Sequence, residues 1–444
     1  MAFYDVLVLG GGTAGCVLAA RLSEEPDCSV CLVEAGPDYG PYEAGGWPAD
    51  MLDARSQPMT HLWEQEPEDR STSRARLIGG CSTHNACVAL RGTPADYDEW
   101  GLGWTNDELE PYLERAEREL RVRHFEPDDL SPWHAAWAEA AEGDAVLNQV
   151  NAVGTVRWNT AFAYLDAARE RANLAVVADT VVDRVHVDRG VRAQLADGRE
   201  LAGRTAVLAA GAYGSPGILL RSGIGPADEL ERHAIPRVAE LPVGEGLVDH
   251  VGTGLGWTPA ERLRSATIEF ERSRPSYIAQ VTVRRGSDLF AIPVLEPGCE
   301  ISAAVFAMKP YSRGRVRLNA RGAETPVAID HGFLSDARDA DSVAEGLELA
   351  RALAVGDALA ALISTEDNPG PGADVDAYVR ENARGFFHPV ATCAIGRVVD
   401  AEARVLGFEN LYVADASIMP TIPRANTNLS VVAIAERVAE LVSV

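Results

Sequence analysis

The chain of 444 residues carries 66 acidic against 40 basic side chains, a formal charge of −26 at pH 7. That balance argues against nucleic acid and anionic membranes as partners, because both select basic patches. Hydrophobic residues make up 47%, enough for a sizeable core in two or three domains or one large discontinuous unit. No apolar run reaches the ~18–20 residues of a membrane span. The seven cysteines are odd in number and scattered, which suits a reducing compartment without a disulfide framework. Asp5 and the lack of a basic flank before the first apolar run argue against a signal peptide. A cytoplasmic protein is expected.

Val6-Leu7-Val8-Leu9 reads as a buried parallel strand. It leads into Gly10-x-Gly12-x-x-Gly15, which opens a helix over residues 16–23. Gly10 permits a tight turn, Gly12 lets the backbone approach a pyrophosphate, and Gly15 lets helix and strand pack closely. The helix N-terminus faces the phosphate charge. A second apolar strand over residues 29–33 ends in Glu34. That acid lies 34 − 15 = 19 residues past the third glycine, where a carboxylate can bind a ribose hydroxyl. Together these elements predict a Rossmann-type dinucleotide fold. Cys28 and Cys31 have CxxC spacing within the second strand, where an offset of three points them to opposite faces, so they read as structural. No zinc pattern such as HExxH occurs, and no metal site is expected.

After Glu34-Ala35-Gly36 the chain is irregular to about residue 67. Two motif-bearing segments follow, from Arg76 to Ala86 and from Arg91 to Trp100. Residues 106–120 read as a helix with Asn106 as N-cap. Residues 121–155 are polar and helix-leaning, and 164–171 form a short helix. Strand patterns return over 174–177, 181–187, 192–195 and 206–210. The last runs into Gly211-Ala212-Tyr213-Gly214-Ser215-Pro216 before a helix. Residues 251–312 are β-leaning, with alternation over 277–283 and 300–308. A helix is expected over 339–353, a strand over 411–414 and a last helix from about 429.

Four separated blocks resemble the glucose-methanol-choline (GMC) oxidoreductase family, FAD enzymes that oxidise alcohols including sugars. They are the glycine motif with Glu34-Ala35-Gly36, and Gly79-Gly80-x-Ser82-x-x-Asn85 with Arg91-Gly92. The others are Gly211-Ala212-x-x-Ser215-Pro216 through Pro226, and His388-Pro389 through Asp415-Ala416-Ser417. Val243-Gly244-x-x-Leu247-x-Asp249-His250 is a fifth, looser match. The resemblance implies an α/β fold (α+β overall), with a Rossmann-type FAD-binding domain and a discontinuous, β-sheet-based substrate domain. Residues 1–50, 68–120, 165–250 and 385–444 would form the first, and 51–67, 121–164 and 251–384 the second.

By the same resemblance, Gly10, Gly12, Thr13, Ala14 and Gly15 would hold the pyrophosphate, and Glu34 with Ala35 the adenosine ribose. Gly79, Gly80, Ser82, His84, Asn85 and Ala86 would pass beside the isoalloxazine ring. Val182, Ala210, Gly211, Asp415, Ala416, Asn426 and Thr427 complete the implied flavin contacts. Ser82-Thr83-His84 is similar to pyranose 2-oxidases, and Gly79-Gly80-Cys81-Ser82-x-His84-Asn85 to choline oxidases. In both groups this histidine is bonded covalently to the flavin, which makes His84 the candidate for a covalent link. A neutral imidazole nitrogen is a competent nucleophile for it.

His388 and Asn426 are the implied catalytic pair, 426 − 388 = 38 residues apart. His388 would take the hydroxyl proton while hydride leaves for flavin N5, a task suited to an imidazole with a reference pKa of ~6.5. Asn426 would donate to the substrate oxygen. His250 reads as structural, and Arg91-Gly92 as a fold-supporting turn with Arg91 a candidate for phosphate or a carboxylate. Trp257, Phe270, Tyr277 and Phe290 read as core or lid rather than as a cation cage. Two departures stand out. Ala391 occupies a position where the family commonly has Gly, which would put a methyl beside the flavin. The stretch from His250 to Ser312-Arg313-Gly314 is short, which implies a reduced substrate cap.

The expected activity is oxidation of a secondary hydroxyl of a sugar or glycoside to a ketone, as in the pyranose oxidase-like and bacterial C-glycoside 3-oxidase-like branches. Oxygen or a quinone-type acceptor would reoxidise the flavin. The alternatives are a choline or aryl/aliphatic alcohol oxidase and, further off, a flavin-containing lyase.

Overall fold

The computed structural model of the chain describes residues 3–63, 72–101 and 103–442. Its first sheet is built around Phe3–Leu9, whose Val6, Leu7, Val8 and Leu9 are wholly buried. Strands follow the order Leu174–Val177, Val30–Val33, Phe3–Leu9, Glu200–Leu208, Val191–Leu195, Val182–Val187. The first four are mutually parallel, and Leu411–Val413 pairs parallel to the C-terminal half of Glu200–Leu208. The last three form an antiparallel meander. Apolar runs without alternation belong in such a parallel sheet because both faces are covered. Helices Thr13–Leu22, Asn106–Glu119 and Asn428–Leu441 pack together and share its core.

The second sheet is antiparallel, in the order Ile363–Asn368, Val251–Pro259, Glu300–Ala307, Leu289–Glu296, Val281–Arg285, Ala145–Leu147. Its strands alternate, so its two faces differ. Val251, Leu255, Ala291, Leu295, Ala303 and Val305 pack under helices Pro132–Ala140 and Ala337–Ala354. Phe290, Ile292, Phe306 and Met308 form a separate cluster with Ile278 and Ala279 on the other face. Phe290 pairs with Phe306, and Ile292 with Ala304, across the two central strands.

Several expectations need correction. The helix Asn106–Glu119 is capped by Thr105, not Asn106: the Thr105 hydroxyl and amide both donate to Glu108, at 2.6 and 3.0 Å. Residues 121–155 hold one α-helix, Pro132–Ala140, a 3-10 turn, Pro127–Asp129, and short strands, because Ala145–Leu147 finds a sheet edge to extend. Helix Glu261–Glu271 was not foreseen. The buried Cys28 lies in the turn before Val30–Val33 rather than in the strand, and burial pushes both its thiol and that of Cys31 up to about 11. The expected boundary between 67 and 68 falls outside the described residues. No described helix is long and apolar enough to cross a membrane.

The contact that seats the first helix against the first strand is backbone on backbone. A Cβ on Gly15 would lie 1.8 Å from the carbonyl oxygen of Gly10, which itself has φ +116°. Gly15→Ala therefore forces the two segments apart. The expected outcome is a loss of ~3 kcal/mol or more, read as a lowered midpoint in thermal or denaturant unfolding.

Candidate active site

A cavity of about 550 Å³ runs from the glycine turn to the open face of the second sheet. At one end Glu34 closes the second strand. Its Oε2 accepts the Gly11 amide at 2.8 Å and its Oε1 accepts the Gly36 amide at 2.9 Å. Burial pushes this carboxyl up to about 7, against the pull of those amides. Gly10, Gly12, Thr13, Ala14 and Ala35 border the same end. Farther along, Asp415 accepts the Gly211 amide at 2.8 Å and the Ser215 hydroxyl at 2.5 Å, holding the start of helix Gly211–Arg221. Val182, Ala210, Gly211, Asp415, Ala416 and Thr427 all line the cavity.

Gly80, His84, Asn85 and Ala86 line it from the 3-10 turn Gly80–Thr83 and the segment after it. Three of the expected residues stand behind the wall instead. Gly15 packs on Gly10, and Gly79 turns the chain with φ +90°. Ser82 is fully buried, donating to the Gly79 carbonyl at 2.6 Å and bonded to the Thr160 hydroxyl at 3.0 Å. His84 is held neutral: burial pushes it down to about 4, helped by Arg157 and Arg74.

His388 and Asn426 meet at the other end, with Asn426 Nδ2 3.4 Å from His388 Nε2. His388 Nδ1 lies 3.0 Å from His250 Nδ1, and His250 Nε2 lies 2.9 Å from the Pro423 carbonyl oxygen. A carbonyl only accepts, so His250 carries its hydrogen on Nε2. His250 Nδ1 is then the acceptor and His388 Nδ1–H the donor. That leaves the lone pair of His388 Nε2 pointing at Asn426 and the cavity. Burial, then His250 and Arg74, hold His388 well below the ordinary histidine value. Burial likewise pushes His250 down to about 3. Both rings are neutral at neutral pH, and His388 Nε2 is free to accept a proton. Asp249 fixes the segment that carries His388 by accepting the amides of Phe386 and His388, at 3.3 and 3.0 Å.

The sequence reading of His250 as merely structural missed this role. Its two nitrogens are used by partners 138 and 173 residues away, which no local pattern displays. Also missed was the aromatic wall: the Phe386 ring lies 4.5 Å from the His388 ring and stacks on Phe306 at 3.9 Å. Arg91 engages carboxylates of the protein itself, with paired bonds of 2.6 Å to Glu117 and one of 2.7 Å to Glu110. Trp257 packs with Trp133 and Tyr277 with Phe125, so of the four aromatics considered only Phe290 borders the cavity. Ala391 does not line the cavity. It sits buried at φ +74°, a conformation that favours glycine.

Whether a dinucleotide fits can be read from Gly12. A Cβ there would meet only Gly80 Cα, at 3.7 Å, so it would enter the space the cavity keeps open. Gly12→Ala should therefore fold like the flavin-stripped wild type and purify without the flavin absorbance band. Ala391→Gly should raise stability by up to ~1 kcal/mol in thermal unfolding and leave reoxidation by oxygen unchanged.

The profile of the GMC oxidoreductase family matches residues 4–252 and 310–435. The chain is 30% identical to mitochondrial choline dehydrogenase of Mus musculus, over 99% of this chain and 89% of that one. It is 31% identical to 5-(hydroxymethyl)furfural oxidase of Methylovorus sp. (strain MP688), over 99% and 98%. The crystal structure of pyridoxine 4-oxidase from Mesorbium loti superposes with a TM-score of 0.85 at 26% identity, covering 98% of both chains. The cradle, the neutral His388 and these likenesses agree: the chain belongs to the GMC oxidoreductase family and is an FAD-dependent oxidoreductase of alcohols.

Proposed function

We propose that the protein oxidises an aryl or aliphatic alcohol with an apolar body to its carbonyl compound, with His388 as the base. The observation that carries this reading is the wall facing His388. Phe386 and Phe306 stack beside it, and Phe290, Ile292, Met308 and Ile278 continue the surface. Two polar groups of that wall are already used: Thr282 donates to Asn148 Oδ1 at 2.8 Å, and Asn148 Nδ2 donates to the Ala279 carbonyl at 3.2 Å, while Ser302 and Glu296 also border the cavity. A sugar ring, the substrate first expected, would set several hydroxyls against carbon, each costing ~1–3 kcal/mol. Two of the relatives act, by their names, on pyridoxine and 5-(hydroxymethyl)furfural, both ring-bearing alcohols.

The chain's own groups have definite tasks in this reading. Bound FAD supplies the hydride acceptor. Gly10, Gly12, Thr13 and Ala14 would cradle its pyrophosphate and Glu34 its ribose, with Asp415 toward the ribityl chain. His388 Nε2 takes the hydroxyl proton, and Asn426 Nδ2 donates to the same oxygen as negative charge grows there. The apolar wall orients the carbinol carbon and excludes water. In this reading His84, neutral and at the cavity wall, bonds the flavin covalently. Flavin fluorescence that stays with acid-denatured protein, and is lost in His84→Ala, tests that link. Oxygen or a quinone-type acceptor completes turnover. In this reading residues 1–50, 68–120, 165–250 and 385–444 bind the flavin, and 51–67, 121–164 and 251–384 form the substrate-binding part. Seven free cysteines support a cytoplasmic setting.

Anaerobic mixing of the purified protein with benzyl alcohol, 5-(hydroxymethyl)furfural, choline, glucose and an aryl glucoside tests the reading. Bleaching of the flavin band should be fastest with the ring-bearing primary alcohols. His388→Asn should slow it by ~10²–10⁴-fold with flavin content unchanged. Bleaching by the sugars alone would return the substrate to the glycoside class.

A further inference from the structure

The tautomer that frees His388 Nε2 depends on one peptide unit, Pro423–Arg424. Its carbonyl accepts His250 Nε2–H at 2.9 Å. Its other end, the Arg424 amide, donates to Asp96 Oδ2 at 3.0 Å. A single planar peptide thus joins a buried carboxylate to the histidine behind the base. We propose that Asp96 is a positioning residue for the oxidation: through this peptide and His250 it fixes the proton on His388 Nδ1 and strengthens Nε2 as the base. The proposal rests on the reading of His388 as the base.

Asp96 is wholly buried, within the segment from Arg91 to Trp100, of which Arg91-Gly92 alone reads from sequence as a turn. It does close a capping box, accepting the Thr93 amide and hydroxyl at 2.8 and 2.9 Å. A cap alone would leave its charge solvated at a helix end. Here the carboxylate instead reaches across the chain to the loop that carries Pro423 and Asn426. Lys309 Nζ lies 3.1 Å from its Oδ1, and the Arg424 guanidinium bonds it as well. Glu99 and Asp288 pair the outer sides of those two cations, at 2.8 and 2.6 Å. The cluster therefore keeps a net negative charge next to the peptide. Burial pushes Asp96 up, but the Arg424 amide, Lys309 and Thr93 outweigh it and hold the carboxyl below the usual range, so it stays ionised.

The physics is polarisation along a chain of hydrogen bonds. The carboxylate draws the peptide N–H toward itself, which enriches the carbonyl oxygen. The richer oxygen holds His250 Nε2–H more firmly and makes His250 Nδ1 a better acceptor for His388 Nδ1–H. Positive charge arriving on His388 is then stabilised. No proton travels along the chain: the alcohol's proton stays on His388 Nε2, and Asp96 is never protonated. Around His388 the other titratable and charged groups are Asp249, which accepts its backbone amide and whose carboxyl burial pushes up to about 7, and Arg74, which opposes protonation. Around His250, Lys309 opposes protonation and Asp96 favours it.

Two measurements on the holoenzyme test this. Side-chain ¹⁵N shifts of histidine in the wild type should report His250 as the Nε2–H tautomer and His388 as the Nδ1–H tautomer. The reverse tautomer at His388 overturns the proposal without reference to turnover. The second measurement compares Asp96→Asn with Asp96→Asn/Lys309→Met, which removes the ammonium together with its carboxylate. In both, anaerobic flavin reduction at saturating benzyl alcohol should fall by roughly tenfold, with KM little changed. In Asp96→Asn the acid limb of kcat/KM should move down by about one pH unit, because losing the negative charge disfavours protonated His388; the double variant keeps the net charge of the wild-type cluster, so a downward shift that persists there reports the polarisation through the peptide alone. Asp96→Glu should recover part of the rate. A pH profile that does not move in the double variant overturns the relay. If His388→Asn reduces its flavin as fast as wild type, the reading of His388 as base has failed, and that result is separate from either relay outcome.

Discussion

The Pro423 carbonyl can accept a hydrogen but never give one, and the reactive end of this protein is arranged around that constraint. It sets the hydrogen of His250 on Nε2, which sets that of His388 on Nδ1, which leaves one lone pair facing the cavity. Three remote segments must be brought into register for this: the strand end at Asp249-His250, the segment at Phe386–Pro389, and the loop at Pro423–Asn426. Each is tied by buried charge or backbone pairing rather than by apolar contact alone. A shift of an ångström in the loop would uncouple the two rings, since hydrogen bonds weaken steeply with distance and angle. Burial adds the second condition. Both histidines lie where a positive charge is costly, so each is neutral and able to accept.

The two sheets divide the labour by their periodicity. The parallel sheet is apolar on both faces, and its strand ends present backbone amides where a polyanionic group can approach. The antiparallel sheet alternates, so one face is buried under helices and the other is left to line the substrate side of the cavity. That second face carries Phe290, Ile292, Phe306 and Met308, and Thr282 beside them is bonded to Asn148. Specificity in this reading comes from what the wall cannot offer to hydroxyls, as much as from what it offers to a ring.

The flavin end was legible in the chain because its chemistry is local. Gly10, Gly12, Gly15 and Glu34 lie within one strand-turn-helix-strand unit, and the geometry of that unit dictates their spacing. His388 and Asn426 could be paired only through a family likeness. Ser82 and Gly79 share a motif with His84 yet stand behind the wall, because adjacent residues in a tight turn point in different directions. Asp96 sat in a recognised motif, but its bond to the Arg424 amide spans 328 residues and leaves no trace in spacing.

Composition and local pattern thus sufficed for the Rossmann-type unit, the acidic surface and the glycine turn with Glu34 at one end of the cavity. These follow from short-range rules: strand and helix periods, glycine sterics, and the offset of an acid from a turn. The tautomer of the base, the partner behind it and the apolar character of the substrate wall came from the folded chain alone. They depend on which carbonyl meets which nitrogen, and on which sheet face is left uncovered. Such relations join residues hundreds of positions apart, and packing decides them.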